Sequence, residues 1–341
     1  MGGKGVFYNS VKVTLKDIAK ETGYTINTVS RALKDKEDIS EATCKLIKDT
    51  ASNMGYIRNA IAGSLRSGVT KTIAIILGDI SNPHFSILVK EIETSARKHN
   101  YNTFIINTDE KSELEEEAIH SALGKNVDGI IICPTQKNEE NITFLKKSGV
   151  PFVLIGRYFK NIESDYVVCN DIEGGYLATR HLIEKGHRRI LFLNGPGYIS
   201  SAFERHEGYK KALNENKIEY DSSLVYEVSV TSGESKRVVR KILESGIEFT
   251  AVFAFSDMIA WETIYTLNKY GKQVPQDVAI VGFDNIQSKL SFPAPLTTIS
   301  TSKSKISRRA VDILLKRINS ADDYGYMKDI VDTQIVIRGS T

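Results

Sequence analysis

The chain has 341 residues, a length typical of two or three domains rather than a single core. Hydrophobic residues make up 41% and charged residues 26%, which excludes a wholly disordered or fibrous chain. The net charge of +3 is unevenly placed: residues 1–68 hold eleven Lys and Arg against seven Asp and Glu, whereas the remainder holds 34 against 35. A basic segment before a near-neutral body indicates either a module that binds a polyanion or a chance excess on a solvated surface.

The cysteines and the N-terminus argue against several other classes of protein. Cys44, Cys133 and Cys169 lie far apart without a CxxC pair, so we expect neither a disulfide framework nor a metal site, and no cofactor. The first ten residues contain no apolar h-region, and no run approaches 18 apolar residues. We therefore expect a cytoplasmic protein with no membrane partner.

Residues 13–56 are predicted to form three short helices. Thr14, Thr25 and Ser40 are successive N-cap candidates, and Gly23 is a stop signal. Ten apolar positions would form one small core among these helices: Leu15, Ile18, Ala19, Val29, Leu33, Ile39, Leu46, Ile47, Ala51 and Met54.

From Thr72 onward, β-branched runs alternate with amphipathic helices, as in α/β folds. Four runs are predicted as buried parallel strands of one lobe: 72–77, 103–107, 129–133 and 152–155. Four more predict a second lobe: 189–193, 224–228, 251–255 and 278–283. A last helix, about Lys303–Asn319, and a last strand, about Ile330–Ile337, follow.

The segment from Thr14 to Leu33 has the spacing of a helix-turn-helix. Thr14 caps the first helix with Asp17 three residues on, Gly23 ends it, and Thr25 caps the second. The N-terminal end of the second helix would point into the major groove of DNA. The alternative is a plain helical hairpin with solvated polar residues.

Within this segment, Ile26 and Asn27 are the candidates for reading sequence. Asn27 could pair with an adenine edge, and Ile26 could contact a thymine methyl group. Other residues carry hydroxyl or guanidinium donors suited to DNA, mainly to its phosphates: Thr14, Thr25, Thr28, Ser30 and Arg31.

Several motifs follow one another along the chain: TLKDIAKETGYTINTVSRAL, GYIRNAIAGSLRSG, EGGYLATRHLIEKGHRRILFLNGP, RHEGY, SDMIAW, VGFDN and PLTTI. In this order they make the sequence resemble the lactose/galactose-repressor (LacI/GalR) family over essentially its whole length. The resemblance implies a small all-α helix-turn-helix headpiece, followed by a two-lobed α/β core like that of periplasmic binding proteins, with two parallel sheets flanked by helices.

The resemblance also implies domain boundaries and a function. The expected segments are 12–58 for the headpiece, 59–69 for a hinge, 70–169 with 300–320 for the N-terminal core subdomain, and 170–299 with 328–341 for the C-terminal one. The expected function is a sequence-specific transcriptional repressor that binds a palindromic operator as a homodimer. A small effector, a sugar or related metabolite, would bind between the lobes and control it.

The hinge matches Asn59 to Leu65, which reads NAIAGSL. In the family this segment becomes a helix on DNA and enters the minor groove, so Asn59, Ala62 and Leu65 are DNA-binding candidates. Leu65 stands at the position of a leucine that wedges between base steps. The alternative is a flexible linker, because Gly63 and Gly68 flank Leu65.

Polar and charged residues at strand ends are candidates for the effector pocket, because ligands bind there in open α/β sheets. Arg157, Asp257 and Asp284 each follow a strand, and Arg205 begins the helix after the Gly-Pro-Gly at 195–197. By resemblance, Arg205, Asp257 and Asp284 match positions that contact effectors in the family. By resemblance, the loop around Asn82, His84 and Phe85 contributes from the first lobe.

Structural roles stay open for three of these residues. Asp257 could cap the helix that runs to Tyr270, Asp284 could order its own turn, and Arg205 could form an interlobe ion pair. Many family members carry an aromatic residue that stacks on the ligand shortly before the position of Ser232. Here that stretch reads Val-Ser-Val, so a stacking contact is not expected there.

Two other classes compete with a regulator. A periplasmic sugar receptor would share the two-lobed core, but it needs a signal peptide and has no use for residues 13–65. An enzyme would need a catalytic motif, and GxSxG, GxGxxG, the phosphate loop and HExxH are all absent from the sequence. We therefore expect no enzymatic activity.

Overall fold

The computed structural model describes residues 13–57, 68–229, 233–288, 295–320 and 325–341. The chain forms two compact units, Met1–Gly68 and Val69–Thr341. Three predicted DNA-binding residues of the hinge, Asn59, Ala62 and Leu65, lie outside the described residues.

The first unit contains the three predicted helices, α1 (Leu15–Thr22), α2 (Ile26–Ala32) and α3 (Glu41–Asn53). Thr14 and Asp17 form a reciprocal capping box at the start of α1, which satisfies two backbone donors. Gly23 ends α1 with a φ of +75°, a left-handed conformation that favours glycine. The local signals in the sequence therefore fix the turn.

Five side chains fill the core of this unit: Ile18, Val29, Ala32, Ile47 and Ala51. Leu46 is 49% exposed, so its predicted place in the core is wrong. Its neighbour Ile47 takes the inward position instead, because adjacent helical residues face different sides.

The first lobe of the second unit is built on a six-stranded parallel sheet in the order β11-β5-β4-β3-β1-β2. The strands are β1 (Thr72–Leu77), β2 (Asn102–Asn107), β3 (Gly129–Ile132), β4 (Phe152–Ile155), β5 (Asp165–Cys169) and β11 (Lys328–Val331). The helices are α4 (Pro83–Lys98), α5 (Ser112–Gly124), α6 (Glu140–Lys147) and α11 (Lys303–Asn319).

Among its described residues, the second lobe has a sheet in the order β12-β10-β9-β8-β6-β7, in which only the β10–β12 pair is antiparallel. The strands are β6 (Ile190–Asn194), β7 (Val225–Glu227), β8 (Ala251–Ala254), β9 (Ala279–Asp284), β10 (Thr297–Thr301) and β12 (Thr333–Val336). The helices are α7 (Asp171–Glu184), α8 (Ser200–Glu215), α9 (Glu234–Glu244) and α10 (Asp257–Lys269).

The strands that the sequence analysis missed or misplaced lie where the chain crosses between lobes. β5 and β10 were not predicted, and each is the last strand of its lobe before the chain crosses to the other lobe. The single last strand predicted at about 330–337 is two strands: β11 pairs with β5 in the first lobe, and β12 pairs with β10 in the second. The assignment of residues 328–341 to the second lobe is therefore wrong for β11.

Glycines bring α7 and α8 close together. A Cβ at Gly175 would overlap the backbone of Arg205, and one at Gly208 would overlap the carbonyl oxygen of Ile172. These contacts explain the second glycine of the EGGY motif and the glycine of the RHEGY motif, since only glycine permits backbones to approach so closely. The same approach places Arg205 beside Asp171.

Among the described residues, no helix is long and apolar enough to cross a membrane.

Candidate DNA-reading surface and effector cavity

The N-terminal end of α2 presents the two residues predicted to read sequence. Thr25 is in an extended conformation and its hydroxyl accepts a hydrogen bond from Thr28 N at 3.1 Å, so it caps the helix. Ile26 is 49% exposed and Asn27 is exposed as well.

The predicted phosphate contacts have partners inside this unit. The Thr14 hydroxyl donates to Asp17 Oδ2 at 2.7 Å, and the Thr25 and Thr28 hydroxyls lie 2.9 Å apart. Arg31 forms an ion pair of 2.6 Å with Asp38, and hydrogen bonding to Asp38 raises its pKa. The arginine is exposed, so water or a phosphate oxygen can exchange with Asp38. Ser30 is half-buried.

A cavity lies between the two lobes of the second unit, at the carboxyl ends of their strands. The space between its walls is about 780 Å³, which includes solvent at its mouth. Six of the seven predicted effector residues line it: Asn82, His84, Phe85, Arg157, Arg205 and Asp284.

Arg157 follows β4 and is held by a buried carboxylate. Its two terminal nitrogens lie 2.8 and 2.9 Å from the two carboxylate oxygens of Glu110, and Nη1 also donates to the carbonyl oxygen of Pro134 at 2.9 Å. Burial lowers the pKa of Arg157, but Glu110 outweighs this effect, so the pKa is raised and the guanidinium stays charged. This bidentate geometry fixes both side chains on the cavity wall.

Arg205 on α8 is fixed by charge and by aromatic rings. Its Nε donates to Asp171 Oδ1 at 2.7 Å, and Nη1 donates to the carbonyl oxygen of Phe255. The guanidinium carbon lies 3.5 Å from the ring centre of Phe283 and 4.3 Å from that of Phe255. Both Arg205 and Asp171 belong to the second lobe, so this pair does not bridge the lobes.

Asp284, at the end of β9, does face the other lobe. Its Oδ1 lies 3.0 Å from Nδ1 of His84, and its backbone carbonyl accepts a hydrogen bond from Lys303 Nζ. His84 Nδ1 is not aligned for a hydrogen bond with any described residue. Its contact with Asp284 is an ion pair only when the imidazole carries a proton. Burial raises the pKa of Asp284, but His84, Lys303 and Arg205 together lower it below the ordinary value.

Asp257 is the predicted effector residue that does not line the cavity. Its side chain is 0% exposed; Oδ2 accepts from Ile286 N at 2.8 Å, and Oδ1 accepts from the Thr298 hydroxyl. Ser256, not Asp257, caps α10. The carboxylate therefore ties α10 to the loop after β9, and neither predicted role, effector contact or helix cap, fits it.

The cavity also contains residues that the sequence analysis did not single out: Glu110, Cys133, Cys169, Ser201, Phe255, Ser256 and Thr301. Glu110 follows one predicted strand and Phe255 is the last residue of another, so the strand-end rule could have found them. Thr301 ends β10, which was not predicted. Its Oγ1 is buried and has no hydrogen-bond partner among the residues that the structure describes.

In the part of the chain that the structure describes, no group of three His, Cys, Asp or Glu side chains could hold a metal ion. The cysteines lining the cavity are neutral thiols, because burial raises the pKa of Cys133 to about 12 and that of Cys169 well above its ordinary value.

Comparison with known proteins matches both units. Residues 14–59 match the model of the bacterial regulatory proteins of the lacI family. Residues 70–331 match the model of the periplasmic binding proteins and sugar binding domain of the LacI family. The chain is 32% identical, over 96% of its length and 98% of the relative's, to the HTH-type transcriptional repressor PurR of Actinobacillus pleuropneumoniae serotype 3. A second PurR, from Aliivibrio fischeri strain ATCC 700601 / ES114, is also 32% identical, over 91% of this chain and 93% of the relative.

Solved structures resemble the fold over its full length. A complex of the transcriptional regulator CelR with cellobiose superposes with a TM-score of 0.74 at 26% identity, covering 97% of this chain and all of the other. The lac repressor dimer bound to operator and the anti-inducer ONPF gives a TM-score of 0.85 at 23% identity, covering 96% and 99%. The predicted fold class and family resemblance are confirmed: the chain belongs to the LacI family of bacterial regulatory proteins and is a DNA-binding transcriptional regulator with an effector-binding core.

Proposed function

We propose that the protein is a homodimeric repressor that binds a palindromic operator through α2 of each copy. Its affinity for the operator is controlled by a hydroxyl-bearing effector, a sugar or related metabolite, in the cavity between the lobes. The observation that carries the proposal is the convergence of polar side chains from both lobes on one cavity. A ligand that contacts both lobes stabilises one arrangement of them, and this is the requirement for control.

The lining of the cavity supports a sugar. Asn82, Asp284 and Arg205 offer donors and acceptors for hydroxyl groups, while Phe85 and Phe255 offer apolar surface for the face of a ring. Two structurally similar regulators are known with sugars: CelR with cellobiose, and a LacI-family regulator from Enterococcus faecium with ribose.

Pairing of two copies supports sequence specificity. A single headpiece presents only a few side chains to base edges, which is too little to select one site in a genome. Two copies related by a twofold axis would read two half-sites, as the symmetry of a palindromic operator requires. The lac repressor bound to its operator is a dimer.

The hinge part of the proposal depends on the sequence. Asn59, Ala62 and Leu65 would enter the minor groove, with Leu65 between base steps. Bending of the operator would then couple the headpieces to the core.

We also propose that the bound ligand is released unchanged, since the family is one of DNA-binding regulators. We propose that the protein acts in the cytoplasm, where a bacterial DNA-binding regulator meets its operator. Chromatography of a sugar recovered after incubation with the protein tests whether the ligand is released unchanged, and a converted product would contradict that proposal.

Selection of DNA from a random pool with the full chain tests the proposal. We expect enrichment of a sequence with two inverted half-sites. Asn27→Ala should weaken binding to the selected site by about 1–3 kcal/mol, the range for loss of one base contact. Asn214→Ala makes the same chemical change at an exposed position of α8 and should bind normally. A pool without an enriched motif, or equal loss in both variants, would contradict the proposal.

A further inference from the structure

The charged groups that line the cavity already have partners within the protein or carry negative charge. Arg157 is bound by Glu110 through two hydrogen bonds, and Arg205 is bound by Asp171. Both guanidinium groups are nearly fully buried, as are their carboxylate partners. Each guanidinium group is thus neutralised by a carboxylate: its remaining N–H groups can donate to a hydroxyl, but it offers an anionic ligand no uncompensated positive charge.

The remaining ionic groups do not favour an anion either. The lining contains three carboxylates, Asp79, Glu110 and Asp284, against two guanidinium groups and His84. Asp79 lies at the end of β1, where its Oδ1 accepts from Ser81 N and from the Ser81 hydroxyl at 2.9 and 2.6 Å. Because the carboxylates in this lining are at least as many as the cations, a phosphate or carboxylate on the ligand would meet no excess of positive charge.

Uncharged hydrogen-bonding groups complete the lining. Thr301 is 6% exposed, and its Oγ1 has no hydrogen-bond partner among the described residues. Ser201 and the amide of Asn82 also reach the cavity. A buried hydroxyl without a partner costs free energy, which a hydroxyl group on the ligand would recover.

The backbone around Glu110 is arranged to hold this carboxylate in place. Asp109 and Glu110 have φ values of +49° and +56°, which non-glycine residues rarely adopt. Gly78, opposite, leaves room for the side chain, because a Cβ there would overlap the Glu110 carboxylate. A strained turn and a glycine thus both serve the Glu110–Arg157 pair.

From these contacts we infer that the effector is an uncharged, hydroxyl-bearing molecule and that Glu110 determines this specificity by withholding Arg157 from anionic groups. The inference rests on the proposed function of the cavity as the effector site. The cavity should therefore bind a free sugar or nucleoside more tightly than the phosphorylated or acidic form of the same compound. The phosphorylated form would be rejected even where its uncharged part fits.

Calorimetric titration of the full chain with matched ligand pairs tests the inference. The pairs are ribose and ribose 5-phosphate, glucose and glucose 6-phosphate, glucose and gluconate, and adenosine and its monophosphate; cellobiose and inorganic phosphate are titrated alone. We expect at least one uncharged member to bind, its charged counterpart to bind at least roughly 100-fold more weakly, and inorganic phosphate not to bind. Tighter binding of any charged member, or no binding by any uncharged one, would overturn the inference.

Glu110→Gln then tests the residue. The amide keeps one acceptor for Arg157 but removes the charge, so the ratio of charged to uncharged ligand affinity should rise at least roughly tenfold. Glu116→Gln removes the same charge from the exposed face of α5 and should leave the ratio unchanged. An unchanged ratio in Glu110→Gln would contradict the assignment. If this variant fails to fold, the titrations of the wild-type chain still test whether the effector is uncharged.

The outcomes distinguish this inference from the proposed function. If a charged ligand binds best and changes operator affinity, the inference about an uncharged effector is wrong, but the proposed control of DNA binding by an effector is supported. If an uncharged ligand binds best but operator affinity never changes, the inference about the cavity holds and effector control of DNA binding is wrong.

Discussion

His84 Nδ1 and Asp284 Oδ1 lie 3.0 Å apart and join the start of α4 in the first lobe to the end of β9 in the second. Both residues line the cavity, so the same side chains that face a ligand also connect the lobes. Any ligand that engages Asp284 therefore acts directly on an interlobe contact.

Further interlobe contacts lie along the same cleft. Ser200 N donates to Gln136 Oε1 at 2.9 Å, and the Tyr158 hydroxyl donates to Glu204 Oε1 at 2.5 Å. Burial is the main reason that the pKa of Glu204 is raised. Because contacts at several points hold the lobes together, loss of one of them should loosen rather than separate the lobes.

Replacement of His84 tests the interlobe contact. His84→Ala should increase the radius of gyration of the ligand-free chain in small-angle scattering and weaken binding of the effector by roughly fivefold, equivalent to about 1 kcal/mol. His120→Ala, on the exposed face of α5, is the matched control and should change neither quantity. Equal affinity in wild type and His84→Ala would show that the contact contributes nothing to ligand binding.

The sequence predicted the local features of the headpiece because the relevant physics is local. A capping hydroxyl, a glycine with positive φ and helical periodicity each act within one turn of chain, and Thr14, Gly23 and Thr25 have the predicted roles. Leu46 was misplaced because adjacent apolar residues leave the orientation of a helix ambiguous.

The crossover region was predicted less well because its pairings are distant in sequence. β11 pairs with β5 although more than 150 residues separate them, and nothing local in Lys328–Val331 specifies that partner. The same limit applies to the cavity: strand ends located Arg157 and Asp284, and the family resemblance located Arg205, but neither indicated that Glu110 holds Arg157. Asp257 was misassigned because burial of a carboxylate beneath a loop depends on tertiary packing.

The raised pKa of Asp257 leads us to expect that the stability of the protein depends on pH. Burial, followed by the nearby Asp284, raises the pKa of Asp257 from 3.8 to about 7. An acid with a raised pKa holds its proton more tightly in the folded chain, so the free energy of unfolding falls as pH rises between these two values. Between pH 5 and 7.5 this loss should amount to at most about 3 kcal/mol.

Asp257→Asn isolates this contribution, since the amide can bond to both Ile286 N and the Thr298 hydroxyl. Urea unfolding followed by fluorescence of Trp261, the single tryptophan and a neighbour on α10, measures it. The variant should lose less stability than wild type over this pH range. Parallel curves for the two proteins would show that Asp257 is already ionised at pH 5.

Replacement of the recognition side chains should change operator preference. Ile26→Thr removes apolar surface that would contact a thymine methyl group, so a substituted base should be tolerated at one position of each half-site. Repeating the DNA selection with this variant measures the change. Leu46→Thr changes another exposed apolar residue of the same unit and should select the wild-type sequence. A shifted preference with Leu46→Thr alone would place the reading surface elsewhere.

The hinge residue Leu65 should affect DNA but not the effector. Leu65→Ala removes the proposed wedge and should weaken operator binding by a few kcal/mol, the scale of the unstacking energy it would offset. Titration of the effector should give the wild-type affinity. Normal operator binding by this variant would mean that the segment is a linker, the alternative that the sequence left open.

The central claim is that one ligand-binding core controls one DNA-reading headpiece. The most direct test is fluorescence anisotropy of the selected operator, titrated with the full chain in the absence and presence of saturating effector. We predict a change in operator affinity of roughly 5- to 150-fold, with the reciprocal change in effector affinity when operator is present. Operator affinity that stays the same at saturating effector would contradict the account.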